Sequence, residues 1–424
     1  MKRSISLAGL FFAAGLLLTT SVTAQTVGNT PCGVEREVEG GLLSPQMFER
    51  LTDAFELIGE EQYTEAYSDL TDMLDRRMSE YETASVEQAL GFAAAQLERY
   101  PQAIQHLRNA ITLDVMPNNQ HFEMILQVAQ LLHVVEDYDE ALLQLDYWFC
   151  VSTEDAQKVA EVWVLKASLH IQQDDFREAL AAIDQAIEIS EDPKENWYRI
   201  KLGMHMELKE FQPAVDTLKI LLDFDSNRKD YWLQLAGSYL ELNDNTEAMA
   251  ALRLAYRKDL LDRSSEFLQL AGLLQEQSSP RQAAEVLQDG LERGVVESTS
   301  RNWEMVAGAW FEAREMEESL AAYDQAGALS DSGRLDFQRA SILTNMEDWE
   351  NVVPSATRAL DKGGLTDTQV GNAHLLVGMA QFNMGNLDAA EEAFRRAQDF
   401  NRVRDAANEW LNHISSTRQR MANS

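Results

Sequence analysis

Cysteine is nearly absent: the 424 residues hold two, Cys32 and Cys150. That excludes a cysteine-ligated zinc ribbon, an iron–sulfur protein and any small fold stapled by several disulfides. Proline is scarce at 8 and glycine modest at 21, which argues against a turn-rich β protein and for long helices. Basic residues are in deficit, with 36 Lys and Arg against 70 Asp and Glu and a net charge of −34. A polyanionic nucleic acid is therefore excluded as a partner, and a charged partner is expected to be basic.

Long apolar runs are also missing beyond the N-terminus. The chain begins Met1-Lys2-Arg3, continues with an apolar stretch from Leu7 to Leu18, and then reads Val22-Thr23-Ala24. A basic start, a short apolar core and small residues at the cleavage positions predict a signal peptide over residues 1–24, and hence export to a periplasm. An uncleaved anchor is the alternative. In an oxidising compartment Cys32 and Cys150 invite a disulfide that would pin a Gly-rich leader, residues 25–44, to the third repeat. Two unpaired thiols are the alternative. The leader lacks helical periodicity and is expected to be flexible unless that bridge holds it.

Catalytic signatures are not found. The 7 histidines have no metal-ligand spacing, and Met204-His205-Met206 points to different sides of a helix, so a metal site is not expected. Gly40-Gly41 and Gly363-Gly364 lack the Lys-Ser of a phosphate loop. Acidic pairs such as Asp174-Asp175 and Glu391-Glu392 suit solvated helix faces and turns rather than a desolvated carboxylate pair. No enzyme, metal or cofactor is expected.

What the chain has in abundance is a repeat. Small residues recur at Ala66, Ala103, Ala141, Ala179, Ala214, Ala248, Ala283, Ser319 and Ala390, with Val352 once in their place. Twelve residues earlier stand Ala54, Gly91, Ala129, Ala167, Leu202, Ala236, Ala271, Ala307, Ala340 and Gly378. Two small residues at that spacing suit two amphipathic helices folded into a hairpin, because only small side chains fit where the backbones approach most closely. An aromatic precedes the first small residue by four positions at Trp163, Trp232, Phe267 and Trp303, and packing between hairpins is its expected role. At the matching places Asp336 and His374 break the pattern.

This pattern resembles the tetratricopeptide repeat family over residues 45–400, with Trp163 to Ala186, Trp232 to Ala255 and Val377 to Ala397 fitting best. The resemblance implies an all-α, right-handed superhelical solenoid of about ten hairpins. Residues 401–424, with Trp410 and Leu411 facing in, are expected to form a capping helix.

In such a solenoid the first helices line a concave wall that holds peptides or partner helices. Counting from the small residues puts Val164, Ser168, Arg199, Gly203, Leu233, Gly237, Leu268, Gly272, Arg301, Phe337, Leu375 and Met379 on that wall. The run Gly203, Gly237, Gly272 suits a shallow channel for an extended backbone, or else merely permits tight coiling. The segments Lys194-Glu-Asn-Trp197, Tyr231 to Tyr239, Asn302 to Trp310, Lys362 to Leu365 and Ala407 to Leu411 further resemble exported repeat proteins associated with TonB, ExbB and ExbD. That resemblance implies a periplasmic accessory to TonB-dependent transport that binds TonB- or ExbD-type periplasmic domains. A general envelope assembly or secretion scaffold is the alternative, and an enzyme framed on the solenoid is a third.

Overall fold

The computed structural model describes residues 30–32, 34, 36, 38, 40–153 and 155–423. The expected signal peptide, residues 1–24, lies outside the described residues. From Pro45 onward the described residues are mainly helical, with no strand among the described residues, and the chain divides into two units, Met1–Leu208 and Lys209–Ser424.

The first unit contains α1 (Pro45–Gly59), α2 (Tyr63–Leu74), α3 (Glu80–Gln96), α4 (Tyr100–Leu113), α5 (Asn118–Val134), α6 (Tyr138–Val151), α7 (Ala160–Gln172), α8 (Phe176–Ile189) and α9 (Glu195–Glu207). The second contains α10 (Phe211–Phe224), α11 (Lys229–Glu241), α12 (Asn245–Arg257), α13 (Ser264–Glu276), α14 (Pro280–Glu292), α15 (Ser300–Glu312), α16 (Met316–Ala328), α17 (Arg334–Asn345), α18 (Trp349–Lys362), α19 (Asp367–Asn383), α20 (Leu387–Ala397) and α21 (Arg404–Asn423). Within each unit consecutive helices pack on one another, as short connections between antiparallel helices require.

The small residues lie where the hairpins are tightest. Ala129, Ala141, Ala167 and Ala179 in the first unit, and Ala248, Ala283 and Ala390 in the second, are fully buried. At Gly378 a β-carbon would meet the Phe394 ring at 2.6 Å, so no larger residue fits without moving that ring. Each first helix ends on a residue in left-handed backbone: Glu61, Glu98, Glu136, Asp174, Lys209, Asn243, Ser278, Arg314, Glu347 and Gly385. Only the last of these is glycine. The left-handed residue lets the following N–H groups reach back to the last turn, as when Asp175 N donates to His170 O at 2.9 Å, and so reverses the chain within a few residues.

Two departures from the repeat have structural causes. Asp336, standing where an aromatic is expected, is buried and held by Arg358 Nε at 3.1 Å and Lys362 Nζ at 2.7 Å. Lys362 also donates to Gly327 O at 2.6 Å, so an ion-pair cluster replaces the ring, and its partners satisfy the buried carboxylate. His374 keeps an aromatic role, with its ring centroid 6.1 Å from that of Phe400.

The described part of the leader is docked, and the bridge that was the condition for this is present. Cys32 is bonded to Cys150 near the end of α6, with Cα atoms 5.1 Å apart. Arg36 is buried and donates to Asp114 Oδ1 and Asn118 Oδ1, both at 2.7 Å, while Asn118 Nδ2 donates to Arg36 O at 2.8 Å. Further along, Ser44 Oγ donates to Glu82 Oε1 at 2.6 Å, joining the leader's end to α3. At the other terminus α21 covers α20: Trp410 stacks on Phe394 with centroids 5.3 Å apart and Ile414 is buried. Arg418 pairs with Asp388 and Glu391 of α20.

Candidate functional site

The residues expected on the wall all fall on first helices or the equivalent α9. Val164 and Ser168 are on α7, Arg199 and Gly203 on α9, Leu233 and Gly237 on α11, and Leu268 and Gly272 on α13. Phe337 is on α17, and Leu375 and Met379 on α19. All are partly exposed, except Arg199, which is exposed. Arg301 lies in the first turn of α15 and is exposed; the residue three places before Ala307 is Glu304, and the one after it is Gly308. These two occupy the register that Leu233 and Gly237 hold on α11, and the position of Ala307 is the signal that finds them.

The glycines differ in kind from those of the hairpin core. Beside Gly378 a β-carbon meets a ring, whereas at Gly237, Gly272 and Gly308 it would meet nothing within 4 Å. Packing therefore does not require glycine at these three places, which weakens the view that they serve tight coiling. In the first unit Gly203 is open in the same way. At the corresponding register α1 and α3 instead carry Phe55 and Phe92, exposed by 53% and 41%.

Neighbouring first helices are tied by polar contacts. In the second unit Lys229 Nζ of α11 donates to Glu266 Oε1 of α13 at 3.0 Å, and Arg334 of α17 grips Glu304 of α15 through two bonds of 2.8 and 2.6 Å. The Arg334 guanidinium holds the Glu304 carboxyl below the usual carboxylate range, as a bidentate pair should. In the first unit Ser168 Oγ lies 3.4 Å from His133 Nε2 of α5. Leu375 and Met379 are partly committed elsewhere, since they pack on the core cluster of Ala390, Phe394 and Ile414.

Converging chemistry is not assembled on these faces. Among the described residues no group of three or more His, Cys, Asp and Glu is placed to hold a metal ion, and Met204 and His205 are buried in packing. No described helix is long and apolar enough to cross a membrane.

Three segments, residues 160–193, 230–257 and 371–403, match the tetratricopeptide repeat family. Curated proteins give no match. Among solved structures, a tetratricopeptide repeat protein from Parabacteroides merdae is 11% identical, covering 65% of this chain and 100% of its own with a TM-score of 0.37. YrrB, described as having an unusual peptide-binding site, is 13% identical over 53% of this chain and 97% of its own, with a TM-score of 0.33. The TPR2AB domain of yeast Sti1, in a complex with pHSP90, is 14% identical over 60% of this chain and 98% of its own, with a TM-score of 0.32. Residues 160–193, 230–257 and 371–403 thus match tetratricopeptide repeats, and the repeat spacing carries the same kind of all-α helical hairpin through the described residues around them.

Proposed function

We propose that the protein is a periplasmic binding scaffold whose first-helix faces hold extended segments of other proteins, and that it serves a TonB-dependent energy-transduction system. One observation carries the binding role: Gly237, Gly272 and Gly308 leave open space at one register of three successive first helices, beside the half-exposed Leu233 and Leu268. A floor without side chains lets a partner backbone approach, and flanking leucines supply apolar contact. The net charge of −34 favours a basic partner, and TonB-type proteins carry a Pro- and Lys-rich periplasmic stretch of that character.

The resemblance of Tyr231 to Tyr239 and Asn302 to Trp310 to exported repeat proteins of TonB, ExbB and ExbD systems supports the assignment to energy transduction. Affinity capture from periplasm tests it. Recovery of TonB or ExbD upholds the reading, and recovery of β-barrel assembly or secretion components replaces it with a general envelope scaffold. Gly237→Arg, which fills the channel, should abolish capture with an unchanged circular dichroism spectrum; undiminished capture refutes the channel.

A further inference from the structure

The face of the first unit has a different chemistry from the glycine channel. Between α3 and α5 lies an open cavity of about 320 Å³. Its floor is Gly91 and Leu107, and its walls are Phe92, Leu131 and Val134. A β-carbon on Gly91 would sit 2.7 Å from the Leu107 side chain, so the glycine lets Leu107 rise to form that floor. Phe92 and Val134 remain 41% and 54% exposed. The polar groups of the lining are the uncharged amides of Gln96, Gln127 and Gln130.

No ionisable side chain lines this cavity, in a chain of which 25% is charged. Its surroundings are anionic. Glu98 and Glu136 stand two residues beyond Gln96 and Val134 in the turns after α3 and α5, and both are exposed. Glu123 lies one helical turn before Gln127 and accepts a 3.4 Å hydrogen bond from it. From residue 80 to residue 137 there is no lysine, and the two arginines are engaged: Arg99 lies over the Tyr67 ring and Arg108 pairs with Glu140. An apolar centre ringed by a rim of one charge is the arrangement of a protein-binding hot spot.

We infer that this cavity takes the aromatic or branched aliphatic side chain of a partner segment flanked by Lys or Arg. The apolar anchor is buried against Phe92, Leu131 and Val134, the amides bond the backbone on either side, and the rim carboxylates draw in the flanking cations. The inference rests on the reading of first-helix faces as a protein-binding wall, but it concerns a surface that the glycine channel does not include.

The test uses the full exported protein and a fluorescein-labelled peptide carrying one Phe between pairs of Lys, read by fluorescence anisotropy. Wild type binds it. Exchanging the peptide's Phe for Ser, or the protein's Phe92→Gln with Val134→Gln, weakens binding by about tenfold or more. Glu98→Gln with Glu123→Gln and Glu136→Gln flattens the salt dependence. Gly237→Arg leaves this binding intact, so failure of the channel and failure of this pocket are told apart. The inference is overturned if wild type does not bind the peptide, if the Phe92 and Val134 exchanges leave affinity unchanged with helix content preserved, or if a Glu-flanked peptide binds equally well. A wild-type dimer in sedimentation that the same two exchanges dissociate would also overturn it, since a second copy would then be the occupant.

Discussion

The Ser319 hydroxyl of α16 donates a 2.9 Å hydrogen bond to the carbonyl oxygen of Ala307 in α15. The two residues are the small-residue pair of their hairpin, and both are completely buried. Serine is thus accommodated at an alanine position because its oxygen finds an acceptor at the point of closest approach.

Ser319→Ala is expected to change stability by less than about 1 kcal/mol, since it loses one hydrogen bond and creates no cavity of consequence. Ser319→Leu should destabilise by about 1–3 kcal/mol through overpacking. Chemical denaturation followed by circular dichroism separates the two; a large loss for the alanine variant would contradict this account of the pair.

Glu347, which ends α17, has a φ of 59°. Left-handed backbone costs a side-chain-bearing residue about 1–2 kcal/mol relative to glycine. Glu347→Gly should therefore raise the melting temperature, with a gain of about 1 kcal/mol after glycine's greater chain entropy is counted. A lowered melting temperature would show that the glutamate side chain contributes more than the backbone loses.

Reduction should loosen the leader. The Cys32–Cys150 bridge closes a separation of 118 residues, and a loop of that size is worth about 4–5 kcal/mol in chain entropy as an upper figure. Cys32→Ser should lower the first unit's melting temperature and quicken amide exchange around Arg36. Two reactive thiols in denatured, unreduced protein would instead show that the bridge is not formed.

Acid should loosen the same region in two steps. Burial, with the Arg36 charge beside it, pushes His121 down from 6.5 to about 4. The folded state therefore binds fewer protons than the unfolded state between these values, and stability present above pH 6.5 declines as pH falls toward 4. Glu82, held by Ser44 and Ser79, is lowered from 4.5 to about 2, so its contribution is lost over that lower interval. Melting temperature against pH checks both: His121→Gln should flatten the upper slope and Glu82→Gln the lower one.

The hairpins were legible because their signal is local. A period of helical turns and a pair of small residues twelve apart specify which faces meet, whatever the rest of the chain does. The open glycines follow from the same register: Gly237, Gly272 and Gly308 each stand one residue after a small residue of the hairpin core, Ala236, Ala271 and Ala307. Phe92 and Val134 were less legible, because an apolar residue at helical spacing reads as core until its exposure is known. The partners of Asp336 lie 22 and 26 residues away, and no periodicity announces them.

Sequence alone determined the repeat, its length and the positions where backbones touch, since steric exclusion at a tight crossing acts on each residue type directly. The tertiary structure decided which first-helix residues stay exposed, where the leader docks and what neutralises the buried charges. Arg36 and Asp114 are 78 residues apart, and a pairing over that distance depends on how intervening helices stack.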